Sequence, residues 1–222
     1  MNTTLAFDVY GTLIDTHGVV TALQDLLGER AQAFSQTWRD KQLEYSFRRG
    51  LMQNYRSFAV CTSQALDYTC AYYKTPLTDE QKGELLGIYR VLPAFDDAKE
   101  ALAELKAANY RLYAFSNGSA EAVKMLLKTA GIRGFFAGVV SCEELRSFKP
   151  NPGVYSHFLR QAQSTGQCAW LISGNPFDVI GAISAGMKAA WVKRSADAIF
   201  DSWGIEPTIT VSSLRELQDN LF

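Results

Sequence analysis

This chain has almost no histidine, no paired-cysteine motif and no surplus of either charge. Its 22 Lys and Arg against 23 Asp and Glu leave a formal net charge of −1. There is therefore no electrostatic case for nucleic acid or an anionic membrane surface as a partner. Anionic small molecules stay open, because a few local cations suffice to hold them. The two histidines, His17 and His157, stand apart, and the four cysteines (Cys61, Cys70, Cys142, Cys168) show no CxxC spacing. That pattern argues against a zinc site, and both histidines read as structural or surface residues. No run of about 18 apolar residues is present to span a bilayer, and no signal-like segment opens the sequence. The expectation is a cytoplasmic protein with reduced, mostly packed cysteines.

What is present is an ordinary globular composition, 47% hydrophobic and 20% charged over 222 residues. That length suits one large domain, or a core plus a smaller domain. Residues 5–8 read as a short buried strand. The stretch 16–90 then reads as helical, with apolar residues at three- and four-residue spacing: Phe34, Trp38, Leu43, Phe47 and Leu51, then Tyr55, Phe58, Ala59, Thr62 and Leu66. Thr78-Asp79-Glu80-Gln81 has the form of a capping box. After Pro93 the pattern alternates: helix 96–109, strand 111–115, helix 120–130, strand 138–141, helix 152–162, strand 169–172, helix 177–185, strand 189–192. Such alternation predicts an α/β fold with a doubly wound parallel sheet, a Rossmann-like core. The first strand must pair with the later ones. The core is then 1–15 with 93–222, and 16–92 is an inserted helical cap over the carboxyl edge of the sheet.

Polar clusters follow several of these strands. Asp8 ends the first strand, just before Gly11-Thr12. Ser116-Asn117 follows the strand at 111–115, Lys149-Pro150 follows the strand at 138–141, and Ser173-Gly174-Asn175-Pro176-Phe177-Asp178 follows the strand at 169–172. Each has a plain alternative. Asp8 can cap a turn, Ser116 and Asn117 can cap the next helix, Lys149 can be a solvated loop residue, and Asp178 can offset a helix dipole. Jointly these alternatives weaken, because ligands bind at the carboxyl edge of such sheets. A carboxylate held there is placed to act as a nucleophile. Lys149 would keep it anionic, and Ser116 with main-chain amides could hold a carboxylate or an oxyanion.

With Asp8-Val9-Tyr10-Gly11-Thr12, Ser116-Asn117-Gly118, Lys149-Pro150 with Tyr155, and Ser173, Asn175 and Asp178, the chain resembles the haloacid dehalogenase superfamily. Its cap segment Trp38-Arg39-Asp40-Lys41-Gln42-Leu43-Glu44-Tyr45 is similar to the arginine-bearing helix of the L-2-haloacid dehalogenases within it. Gly174-Asn175-Pro176-Phe177 departs from that pattern, where another serine and a tryptophan are frequent.

The resemblance implies hydrolysis of short (S)-2-haloalkanoic acids to (R)-2-hydroxyalkanoic acids, with no cofactor and no metal. Asp8 would attack C2 and form an ester. Arg39, Asn117 and Phe58 would cradle the departing halide, while Ser116 and the amides of Val9 and Tyr10 hold the substrate carboxylate. Thr12 would fix the loop, and Lys149 would balance the anions, positioned by Tyr155 and Ser173. Asn175 and Asp178 would hold the hydrolytic water. The alternative is a magnesium-dependent small-molecule phosphatase of the same superfamily. It would need a carboxylate at position 10, which is Tyr10, and usually an acid in place of Gly174. A third reading is a catalytically silent core with the cap as an interaction surface. The aromatic richness of the cap suits a homodimer, which is compatible with catalysis.

Overall fold

A computed structural model of the chain describes residues 3–221. Its strands are β1 (Thr4–Phe7), β2 (Arg111–Ser116), β3 (Gly138–Ser141), β4 (Ala169–Ser173), β5 (Lys188–Val192) and β6 (Ile209–Val211). They form one parallel sheet in the order β3-β2-β1-β4-β5-β6. The chain runs outward from β1 in one direction and then returns to build the other half. Its topological switch point therefore lies beside β1, where open α/β sheets bind ligands.

Alternation along each strand divides the apolar residues between two cores, because successive side chains face opposite sides. Leu5, Phe7, Leu112, Ala114, Trp170, Ile172, Ala190 and Val192 face one side. They meet α5 (Ala98–Ala107) and α6 (Ala120–Thr129) there. Ala6, Phe115, Leu171, Ala189 and Trp191 face the other, against α7 (Pro152–Gln161) and α8 (Pro176–Ser184). Both faces are covered, as a parallel sheet requires.

Between β1 and α5 the chain leaves the sheet to form α1 (His17–Leu27), α2 (Ala31–Leu51), α3 (Phe58–Tyr72) and α4 (Asp79–Ile88). These helices make the inserted cap subdomain. Thr78 and Gln81 close the expected capping box on α4. The two passages between cap and core are tied together. Phe95 N donates to Leu13 O and Asp15 N to Pro93 O, both at 2.9 Å. The cap does not hang free on this hinge, since Phe34 and Trp38 of α2 join the same core cluster as Phe7 and Leu13. Among the described residues no helix is long and apolar enough to cross a membrane.

Three expectations need correction. The edge strand β6 gave no sequence signal, because it has three residues and exposes Thr210. The buried stripe of α2 runs Ala31, Phe34, Trp38, Gln42 and Ser46, whereas Leu43 and Phe47 are only half-buried and Leu51 is 86% exposed. On α3, Ala59 faces outward, and Cys61, Ala65, Thr69 and Cys70 join the buried Phe58, Thr62 and Leu66. All four cysteines are free thiols, and three of them are buried.

Candidate active site

Asp8 is the first residue beyond β1, and its amide still pairs with Ile172 O at 3.0 Å. The chain then turns tightly. Leu13 N and Ile14 N both donate to Val9 O, and Gly11 supplies the left-handed φ of +75° that the turn needs. This turn brings Thr12 back over the carboxylate. Thr12 Oγ1 and Asn175 Nδ2 each donate to Asp8 Oδ2 at 2.8 Å, and Lys149 Nζ donates to Asp8 Oδ1 at 3.1 Å. Oδ2 is saturated by two donors, while Oδ1 keeps a lone pair for another electrophile.

Lys149 is 1% exposed, and all three of its ammonium hydrogens are placed. They reach Asp8 Oδ1 at 3.1 Å, Phe115 O at 2.9 Å and Asp178 Oδ2 at 2.7 Å. The Phe115 ring lies 4.2 Å from the nitrogen. Burial works against the cation, but the Asp178 and Asp8 carboxylates outweigh it and hold Lys149 above the ordinary lysine value. Its backbone is pinned as well, since Lys149 N donates to Asn117 Oδ1 at 2.8 Å.

Asp178 sits in the first turn of α8 with no exposed surface. Burial pushes its carboxyl up; Lys149 and the Tyr155 hydroxyl pull it down, and the Asp8 charge adds to the rise. The net direction is upward, which makes Asp178 a stronger base than an exposed aspartate. Tyr155 donates to Asp178 Oδ1 at 2.8 Å. Tyr155 and Ser173 were expected to position Lys149. Instead Tyr155 holds Asp178, and Ser173 Oγ accepts from Asn175 N at 3.1 Å. The difference arises because α7 packs on α8, where Gly181 leaves room for the Tyr155 ring. The capping alternative for Ser116 and Asn117 also falls, because Ser119 caps α6. Ser116 Oγ accepts from Gly118 N at 3.1 Å.

The cap closes this edge through α2 and α3. Arg39 donates from Nη1 to Gln42 Oε1 at 2.7 Å and from Nη2 to Asn175 Oδ1 at 3.4 Å. Phe47 meets Phe177 edge-on at 5.1 Å. Phe58 and Tyr55 pack on Phe148, the residue before Lys149, at 6.2 and 5.1 Å. Of the three residues expected to form the cradle, Arg39 is bonded to Asn175, Asn117 to Lys149, and Phe58 packs on Phe148. Tyr10 reaches the other way, donating to Tyr89 O at 3.4 Å. Burial, helped by Tyr89 and opposed by Arg39, pushes its phenol up to about 12, so it is neutral at physiological pH.

Gly174 explains one departure from the resemblance. Its amide donates to Thr12 Oγ1 at 2.8 Å, and a Cβ there would stand 2.5 Å from Gly11 O. Any side chain there, a carboxylate included, would force the two backbones apart.

Arg194 and Asp97 join the site without belonging to any of the motifs above. Arg194 follows β5, donates from Nε to Thr12 O at 3.2 Å, and lies 4.0 Å over the Phe95 ring. Its Nη1 reaches Asp97 Oδ2 at 2.6 Å, which also accepts from Leu214 N at 2.8 Å. This pair fastens the loop carrying Asp8 to the hinge of the cap. A signal existed, because Arg194 stands at the same strand edge as the other site residues.

The model of the haloacid dehalogenase-like hydrolases matches residues 3–186. The chain belongs to that family. Among these hydrolases, it is 33% identical over 215 residues to a (S)-2-haloacid dehalogenase of Pseudomonas putida, covering 97% of this chain and 94% of the relative. It is 35% identical over 207 residues to haloacetate dehalogenase H-2 of Moraxella sp. (strain B), covering 93% and 92%. The L-2-haloacid dehalogenase of Xanthobacter autotrophicus, solved with chloropropionic acid covalently bound, superposes with a TM-score of 0.89. That match has 28% identity and covers 100% of both chains.

Proposed function

We propose that this hydrolase converts short (S)-2-haloalkanoic acids to (R)-2-hydroxyalkanoic acids through an ester on Asp8. The observation that carries this reading is the placement of Lys149 between Asp8 Oδ1 and Asp178 Oδ2, at 3.1 and 2.7 Å. The buried ammonium lies against the largely buried Asp8 carboxylate, and displacement at carbon needs a nucleophile stripped of most of its water. Asp8 attacks C2 from the side opposite the halogen, and the halide leaves toward Arg39. Ser116 and the amides of Val9 and Tyr10 hold the substrate carboxylate. Water oriented by Asn175 and Asp178 then attacks the ester carbonyl and frees Asp8. Only the first step touches C2, so the product is inverted.

Magnesium-dependent phosphatase chemistry is disfavoured by the same geometry. Lys149 already supplies positive charge to both carboxylates, and Tyr10 and Gly174 stand where a hard cation would call for further oxygen ligands. The cap is assigned to 16–92, between the paired hinge passages. Exposed Leu51 and Met52 at the end of α2 and Tyr72 at the end of α3, at 86, 64 and 63%, suit a homodimer through the cap. Sedimentation equilibrium tests that assembly, and fractionation of the native host tests the cytoplasmic assignment. For the activity, (S)-2-chloropropionate with a chelator present should release chloride and yield the (R)-hydroxy acid. Retained configuration, or no chloride release, would overturn the reading.

A further inference from the structure

The buried face of α2 carries a polar residue where its spacing calls for an apolar one. Gln42 lies one turn beyond Trp38, is 1% exposed, and has both ends of its amide bonded. Its Oε1 accepts from Arg39 Nη1 at 2.7 Å, and its Nε2 donates to Thr62 Oγ1 at 2.6 Å. Thr62 in turn donates to Phe58 O at 2.9 Å, while its own carbonyl accepts from Trp38 Nε1 at 2.9 Å. A hydrogen-bonded line thus runs from the backbone of α3 through Thr62 and Gln42 to Arg39. It continues across to Asn175 Oδ1 at 3.4 Å, and Asn175 Nδ2 holds Asp8 at 2.8 Å.

We propose that Gln42, backed by Thr62, is a positioning residue that fixes the Arg39 guanidinium for the departing halide. The inference rests on the reading of Arg39 as leaving-group donor. A buried amide is costly unless it is fully bonded, so its presence on this face calls for a compensating role. An uncharged acceptor is also the group the chemistry requires. A carboxylate at position 42 would orient Arg39 but neutralise the charge that the halide must meet. The adjacent acid, Asp40, is engaged by Gln36 Nε2 at 2.8 Å.

The test is halide release in a single turnover with excess enzyme, which reads the displacement step alone. Gln42→Leu, Thr62→Val and Thr62→Ser are compared with Arg39→Ala on 2-chloropropionate and 2-bromopropionate. A misplaced donor should slow chloride release by about tenfold or more. Bromide release should slow less, because bromide is a better leaving group. Thr62→Val should follow in the same direction, and Thr62→Ser, which keeps the hydroxyl, should restore the parent rate. An unchanged chloride-to-bromide ratio in Gln42→Leu and Thr62→Val, with Arg39→Ala inactive, would overturn the positioning role and leave the function standing. Parent-like release by Arg39→Ala would overturn the leaving-group reading and this inference with it.

Discussion

Lys149 and Asp178 face each other at 2.7 Å with 1% and 0% of their side chains exposed. A second carboxylate, Asp8, shares the same ammonium at 3.1 Å. One buried cation therefore holds two anions that would otherwise repel, and both the fold and the chemistry depend on it.

Lys149→Met should cost about 3–5 kcal/mol of stability, because it leaves two buried carboxylates without a counter-charge. Halide release should fall by about a thousandfold or more. Lys149→Arg should not rescue it, since a planar fork replaces a compact charge in an enclosed slot. Denaturant unfolding and halide release check both effects.

Tyr155→Phe removes a donor that holds Asp178 down, so the Asp178 carboxyl should rise further. The acid limb of the kcat profile should then move to higher pH, with about a tenfold loss near neutrality. A purely structural role for Tyr155 would lower kcat without moving the limb.

Gly174→Ala forces a Cβ to within 2.5 Å of Gly11 O, and the three atoms nearest to it all belong to backbone. The loss expected is about 1–3 kcal/mol, with the Gly174–Thr12 bond disturbed and kcat reduced. Gly174→Asp should gain no magnesium-dependent phosphatase activity toward an aryl phosphate. Thermal melts and a phosphate-release assay test the two halves.

Asp97 is held below its ordinary value of 3.8: burial opposes this, but Arg194, Leu214 N and Ser213 together outweigh it. A carboxyl depressed by folding stabilises the protein above the unfolded pKa, and that contribution is lost as pH falls through the folded one. Asp97→Asn should therefore cost about 1.5–3 kcal/mol near neutrality. The difference from the parent should shrink as pH drops below about 4. Melting curves between neutral and acidic pH would show the two proteins converging.

The strands β1 to β5 were legible because apolar runs of matching length end in turn residues at the sheet edge. Asp8, Lys149 and Asp178 were legible for the same reason, as polar residues following those strands. The partners of Tyr155 and Ser173 were not, because they depend on how α7 packs on α8. The face of α2 was misread at Leu43 and Phe47, since that helix meets both the core and Phe177 and buries Gln42 in between. Arg194 carries the same strand-edge signal as Asp8, but its partners Thr12, Phe95 and Asp97 come together only through the hinge.

The covalent role of Asp8 is tested most directly by one turnover of (S)-2-chloropropionate in ¹⁸O water with excess enzyme, followed by mass analysis of the protein and the hydroxy acid. Attack of water on the ester carbonyl places the label in the Asp8 side chain and leaves the first product unlabelled. Label in the product hydroxyl with none in Asp8 would mean that water attacks C2 directly, and would contradict the ester mechanism.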